Sequence, residues 1–170
     1  MQQPCRTCND MLFAPIQRLE YHQDLPIAGE AAWEFFSRPE NLARITPESL
    51  GFEVTSALPE RMYAGMIITY RVRPLFGVAI PWMTEITHVR EPEFFVDEQR
   101  SGPYRIWHHQ HIFTPLDGGV RMIDRVHYQI AFGLPGYWLF GGVVRRRLEE
   151  IFSYRRRTLI NIFGHMEQSP

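Results

Sequence analysis

The sequence contains no lysine: all 18 of its Lys+Arg positions are arginine. That absence rules out Schiff-base chemistry and any phosphate-binding loop that relies on a lysine. Cysteine is nearly as scarce, with Cys5 and Cys8 the only two, set as Cys-x-x-Cys near the start. Thioredoxin-type chemistry needs such a pair at a helix start within a βαβ unit, and the flanking sequence supplies neither. A closed zinc site would need two further ligands from elsewhere. No apolar run approaches the roughly 20 residues that span a bilayer. The opening Met1-Gln2-Gln3-Pro4 lacks the charged and apolar regions of a signal peptide. The expected location is the cytoplasm. A formal net charge of -1 gives no overall basic field to attract nucleic acid.

What the chain does have is apolar and aromatic. Hydrophobic residues make up 45% and charged residues 22%, a balance that folds rather than stays disordered. Its 170 residues fit one domain, read here as 15–165 between a leader, 1–14, and a tail, 166–170. Pro15 to Pro26 alternates as a first strand. Gly29 to Phe36 and Pro39 to Arg44 follow as two short helices, the second with Pro and Glu40 in its first turn. The pattern then turns to period two. Six strands are predicted: Phe52–Leu58, Met66–Arg73, Trp82–Arg90, Phe94–Gln99, Tyr104–Leu116 and Val120–Phe132. Pro59, Pro74 with Gly77, Pro92, Gly102-Pro103 and Asp117-Gly118 punctuate them. Gly133-Leu134-Pro135-Gly136 ends the last strand, and a long helix is predicted from Val143 to Gly164. One run of tightly linked strands closed by a helix is an α+β plan.

Several short motifs carry a resemblance. They are Ala32-Trp33-Glu34-Phe35-Phe36-Ser37-Arg38-Pro39-Glu40-Asn41-Leu42, Ile45-Thr46-Pro47, Phe95-x-Asp97-x-Gln99, and Gly102-Pro103-Tyr104-x-x-Trp107-x-His109-x-His111-x-Phe113. Asp124-x-Val126-x-Tyr128 and Ile151-Phe152-x-Tyr154-Arg155 complete the set. With the element order, they resemble the START-like (SRPBCC, helix-grip) superfamily, in its bacterial cyclase/dehydrase-labelled ligand-binding branch. The resemblance implies a seven-stranded curved antiparallel sheet around the C-terminal helix, with a cavity between them. It leaves the chemistry open, because members of the superfamily include carriers, receptors, cyclases, hydrolases and oxygenase subunits.

The last hairpin is the most informative stretch. Asp117-Gly118 suits a two-residue type I′ turn, which sets His111 opposite Asp124, His109 opposite Val126, and Trp107 opposite Tyr128. This face is the more aromatic and is expected to look inward. Tyr70 belongs to the inward set of its own strand, and Trp82, Thr84, Ile86 and His88 are expected to share a face with Phe95, Asp97 and Gln99. Arg155 falls within the apolar stripe of the long helix, where its charge needs a partner such as Asp97 or Asp124. The expected ligand-binding set is therefore Tyr70, Trp82, Asp97, Gln99, Trp107, His109, His111, Asp124, Tyr128 and Arg155. An apolar cavity with a few convergent polar groups is the usual form of a small-molecule site.

Three functions are compatible with that set. A carrier or sensor for a small apolar or amphipathic molecule needs nothing more, and no cofactor. An enzyme of the cyclase, dehydratase or hydrolase type would use His111 and Asp124 as an acid–base pair. His109, His111 and Asp124 also have the composition of a two-His, one-carboxylate metal set, although their spacing is permissive rather than diagnostic. Finally, Tyr137-Trp138-Leu139-Phe140, read as a loop beside the cavity mouth, and the helix triplets Arg145–Arg147 and Arg155–Arg157 suit peripheral contact with a lipid surface through Trp138 and Phe140. A solvated helix back and a packed lid explain the same residues.

Overall fold

The structure is a computed structural model that describes residues 14–73 and 77–166. Cys5 and Cys8 lie outside these residues. The elements run β1 (Gln17–Leu25), α1 (Gly29–Phe36), α2 (Pro39–Arg44), a 3-10 turn (Glu48–Leu50), β2 (Glu53–Val54) and β3 (Met66–Val72). They continue as β4 (Ile80–Arg90), β5 (Phe94–Ser101), β6 (Tyr104–Leu116), β7 (Gly119–Ile130) and α3 (Gly133–Phe163). The seven strands form one sheet in the order β1-β7-β6-β5-β4-β3-β2, with every neighbouring pair antiparallel. With α3 packed against it, this is the expected helix-grip fold.

The sheet grips the helix unevenly. α3 packs closely on β1 and β7, where Leu148 and Phe152 meet Leu19, Val126 and Tyr128. Further along, Leu159 joins Trp33 of α1 with Phe95 and Phe113. Trp33 meets both rings edge-on, at 5.9 and 6.1 Å between centroids, an arrangement aromatic pairs favour. A third cluster on β3 and β4, built from Met66, Ile68, Tyr70, Val72 and Ile86, contains no α3 residue. The sheet curls away from the helix there, and the space left between the three clusters becomes the cavity.

Four local expectations need correcting. α3 starts ten residues early, at Gly133, and takes in Pro135, Gly136 and the segment Tyr137–Phe140 that was read as a loop. Proline is harmless in a first helical turn, where its missing N–H would have no partner anyway. Gly136 is a close approach rather than a break: a Cβ there would lie 2.2 Å from the Ala131 carbonyl oxygen. The strand predicted over Phe52–Leu58 is reduced to Glu53–Val54, because the Ser56 hydroxyl takes the Thr69 N–H that a longer ladder would use. Gly118 alone has positive φ at the hairpin tip, so the turn is not type I′, although the register is the one expected. A bulge between Ile86 and His88 turns His88 out to solvent. At the domain edge, Ala14 is buried and its carbonyl accepts the Gln129 side-chain amide.

Candidate functional site

A cavity of about 170 Å³ lies between the sheet, α2 and α3. Most of its wall is apolar, from Ile45, Ile68, Ile86, Phe95, Leu148 and Ile151. Seven of the ten expected ligand-binding residues reach it: Tyr70, Trp82, Asp97, Trp107, His109, His111 and Arg155. Period-two alternation places the six on strands, since residues two apart on a strand share a face, and Arg155 comes from α3.

The other three do not line it. Gln99 folds its amide onto the Tyr104 backbone, accepting from its N–H at 3.2 Å and donating to its carbonyl at 2.6 Å, and so clamps the β5–β6 turn. Tyr128 is packed in the cluster with Leu148 and Phe152. Asp124 stands behind the histidines, on the wall of a second space. That space is a crevice of about 300 Å³ between Glu20–Gln23 of β1 and Phe152–Arg156 of α3. Phe152 and Arg155 line both.

The polar end of the cavity is a four-residue square centred on β6. His109 stands opposite Asp97 of β5, and His111 opposite Asp124 of β7, as the register requires. The hydrogen bonds run along the diagonals instead. His109 Nε2 bonds Asp124 Oδ1 at 2.8 Å, and His111 Nε2 bonds Asp97 Oδ2 at 2.9 Å. The directly opposed approaches are 2.9 Å from His111 Nδ1 to Asp124 Oδ1 and 3.4 Å from His109 Nδ1 to Asp97 Oδ2. The first of these is off the N–H axis, leaving His111 Nδ1 buried without a hydrogen bond. The acid–base pair expected from the ladder, His111 with Asp124, is thus a neighbouring pair rather than a bonded one. Trp107 Nε1 donates to Asp97 Oδ1 at 3.3 Å, and Arg155 donates to Asp124 Oδ2 at 3.5 Å.

Burial alone would raise both carboxyls, but their cationic surroundings prevail. Asp97 is held below its usual range by His109 and His111, and Asp124 is held well below it by Arg155 and both histidines. The histidines diverge. Burial, with His111 beside it, lowers His109. His111 is raised because Asp124 and Asp97 outweigh its burial. Two imidazoles with ring centroids 3.8 Å apart are thereby set to different basicities.

Sequence reading missed Tyr104, Met62 and Arg147 among the lining residues. Tyr104 opens the strand that carries Trp107 and lies one register shift out of the regular alternation, which hid its direction. Arg147, expected either at a lipid surface or on a solvated helix back, instead reaches Ser49 Oγ of the 3-10 turn at 3.0 Å and borders the cavity.

At the other end of α3 the chain exposes large apolar side chains: Phe132 at 85%, Trp138 at 79% and Leu139 at 72%. The neighbouring Arg145 and Arg146 are paired along the helix with Glu149 and Glu150, so they do not form a bare cationic patch. Among the described residues no helix is long and apolar enough to cross a membrane.

No protein-family model matches the chain, and no curated relative matches it in sequence. Solved structures do superpose on it. Protein CV1439 from Chromobacterium violaceum matches with a TM-score of 0.66 at 14% identity, covering 89% of this chain and 100% of its own. Protein Ms6760 from Mycobacterium smegmatis gives 0.62 at 19% identity, with coverage of 87% and 97%. A protein from Arthrobacter aurescens, solved by solution NMR, gives 0.63 at 13% identity, with coverage of 92% and 98%. At these identities the likeness is one of fold, and it extends over nearly the whole of each bacterial neighbour.

Proposed function

We propose that this chain binds a small, largely apolar molecule in the cavity beneath α3, as a carrier or sensor of the START-like type. One observation carries the reading: a largely apolar cavity of about 170 Å³ ends in an ionisable cluster. An apolar cavity of roughly 150 Å³ holds a benzene-sized guest, so this one suits a one- or two-ring molecule. The aromatic and aliphatic wall supplies contact area, while His109, His111 and Asp97 orient a polar substituent. The motif resemblance to the superfamily points the same way, as an argument from analogy.

Two experiments test this. Native mass spectrometry of freshly purified protein should reveal a co-purified small molecule. Titration with 2-naphthol should quench the fluorescence of the cavity-lining Trp82 and Trp107. Ile68→Phe, which fills the cavity from β3, should weaken that binding at least tenfold. Equal binding by the filled variant would overturn the reading.

A second reading has its own observation. The exposed Phe132, Trp138 and Leu139 at the start of α3 suit shallow insertion into a lipid surface, through which a carrier would load. Wild type should float with liposomes, and Trp138→Ala should not; flotation unchanged by the substitution would remove this reading.

A further inference from the structure

With both histidines neutral, the buried square is one cation short. Four ring nitrogens approach two carboxylate oxygens, Asp97 Oδ2 and Asp124 Oδ1, at 2.8–3.4 Å. A neutral imidazole carries one N–H and one lone pair. Two neutral histidines therefore satisfy two of the four approaches and set lone pair against lone pair at the others. His111 Nδ1, on a residue only 6% exposed, is left without a hydrogen bond. A cation placed among these groups removes the conflict.

We propose that Asp97, His109 and His111 form a divalent transition-metal site with its open coordination position facing the apolar cavity. Oδ2 of Asp97, Nδ1 of His109 and Nε2 of His111 converge, with the ligand atoms of these three residues all within 4.8 Å of one another. The Asp97 oxygen is 3.4 Å from one nitrogen and 2.9 Å from the other. Ligand atoms at 2.0–2.1 Å from a tetrahedral ion are separated by roughly 3.3 Å, close to both separations from the Asp97 oxygen. The surrounding groups are those that metal-bound histidines use. Asp124 accepts from the far nitrogen of His109 at 2.8 Å and lies 2.9 Å from the far nitrogen of His111, where a small ring rotation completes the bond. Arg155 holds Asp124, and Trp107 holds the second oxygen of Asp97. The carboxylate that completes the ligand set is thus Asp97, while Asp124, the one expected from the hairpin, orients both histidines.

Two imidazoles and one carboxylate suit zinc, iron(II) or cobalt(II) rather than calcium or magnesium. Asp97, Asp124 and Arg155 sum to one negative charge, so a divalent ion leaves one positive charge over. The open position therefore favours an anionic oxygen, such as that of a phenol, an enol or a carboxylate. This choice of ligand class rests on the cavity-binding reading; the metal site itself does not.

The test uses untagged full-length chain in a Cys5→Ser/Cys8→Ser background, titrated with cobalt(II) alone. One equivalent should bind with visible absorption of low-symmetry coordination and should shift the His109 and His111 imidazole NMR signals. His109→Ala and Asp97→Asn should abolish the absorption, while Asp124→Asn should weaken cobalt binding by about 10–100-fold. The wild-type NMR signals need no variant to fold. Cobalt bound without shifting those signals, or absorption unchanged in the variants, would place it elsewhere and overturn the proposal. So would no stoichiometric binding with His111 seen as an imidazolium, since a proton then plays the ion's part. Titrating 2-naphthol into metal-free and cobalt-loaded protein separates the two readings. Binding to both with no cobalt dependence removes only the ligand class, and cobalt uptake without naphthol binding removes only the cavity reading.

Discussion

His111 faces Asp124 directly across the β6–β7 ladder, yet its hydrogen bond goes to Asp97 on the opposite neighbouring strand. His109 does the reverse, facing Asp97 and bonding Asp124. The two diagonals tie three strands together through side chains on one buried face, and Arg155 ties that face to the helix.

Arg155 and Asp124 should behave as a coupled pair. Asp124→Ala leaves a buried guanidinium without its partner and should cost about 3–5 kcal/mol. Arg155→Leu should also destabilise. The double variant should be less destabilised than the sum of the two, by about 0.5–3 kcal/mol in a denaturant-based double-mutant cycle.

Two glycines of α3 should respond in opposite directions to the same change. At Gly142 nothing lies within 4 Å of a new Cβ, so Gly142→Ala should stabilise by about 0.5–1 kcal/mol through helix propensity. At Gly136 the Cβ meets the Ala131 carbonyl, and Gly136→Ala should lower the melting temperature despite the same propensity gain. Thermal unfolding of both variants checks the pair.

Leu159 is fully buried where α1, α3 and the sheet meet. Leu159→Ala should cost about 2–5 kcal/mol in urea unfolding, from lost burial and the void left behind.

Glu20 governs part of the acid limb. Hydrogen bonds from Arg125, then Arg18 and His22, lower its pKa to about 2, against roughly 4.3 in an unfolded chain. A depressed carboxyl stabilises the fold at pH above its unfolded value and loses that contribution as pH falls through its folded one. Glu20→Gln should therefore be less stable than wild type at neutral pH, with the difference closing between about pH 4.3 and 2. Urea midpoints measured across this range give the result.

The β6–β7 register and the inward face were legible in the sequence because a period of two admits only one assignment once a hairpin is fixed. The same logic found His109, His111 and Asp97, and helical spacing within the apolar stripe found Arg155. It failed where a side chain competes with the ladder, as Ser56 does at β2, and where a bulge reverses the alternation, as before His88. It also failed at the start of α3, since glycine reads as a helix breaker unless the neighbouring backbone that requires it is known. The diagonal bonds were out of reach for a different reason. Register says which residues are opposed, whereas ring orientation selects between approaches to Asp97 and Asp124 of similar length.

The wall shared by the cavity and the outer crevice has an energetic consequence. Among the described residues only Phe152 and Arg155 line both spaces, and Asp124, one corner of the ionisable square, itself lines the groove between β1 and α3. Charges that border a crevice open to the surface feel a higher effective dielectric than the centre of a closed core offers. That is how a chain of 170 residues can keep two carboxylates, two imidazoles and a guanidinium inside its sheet and remain folded.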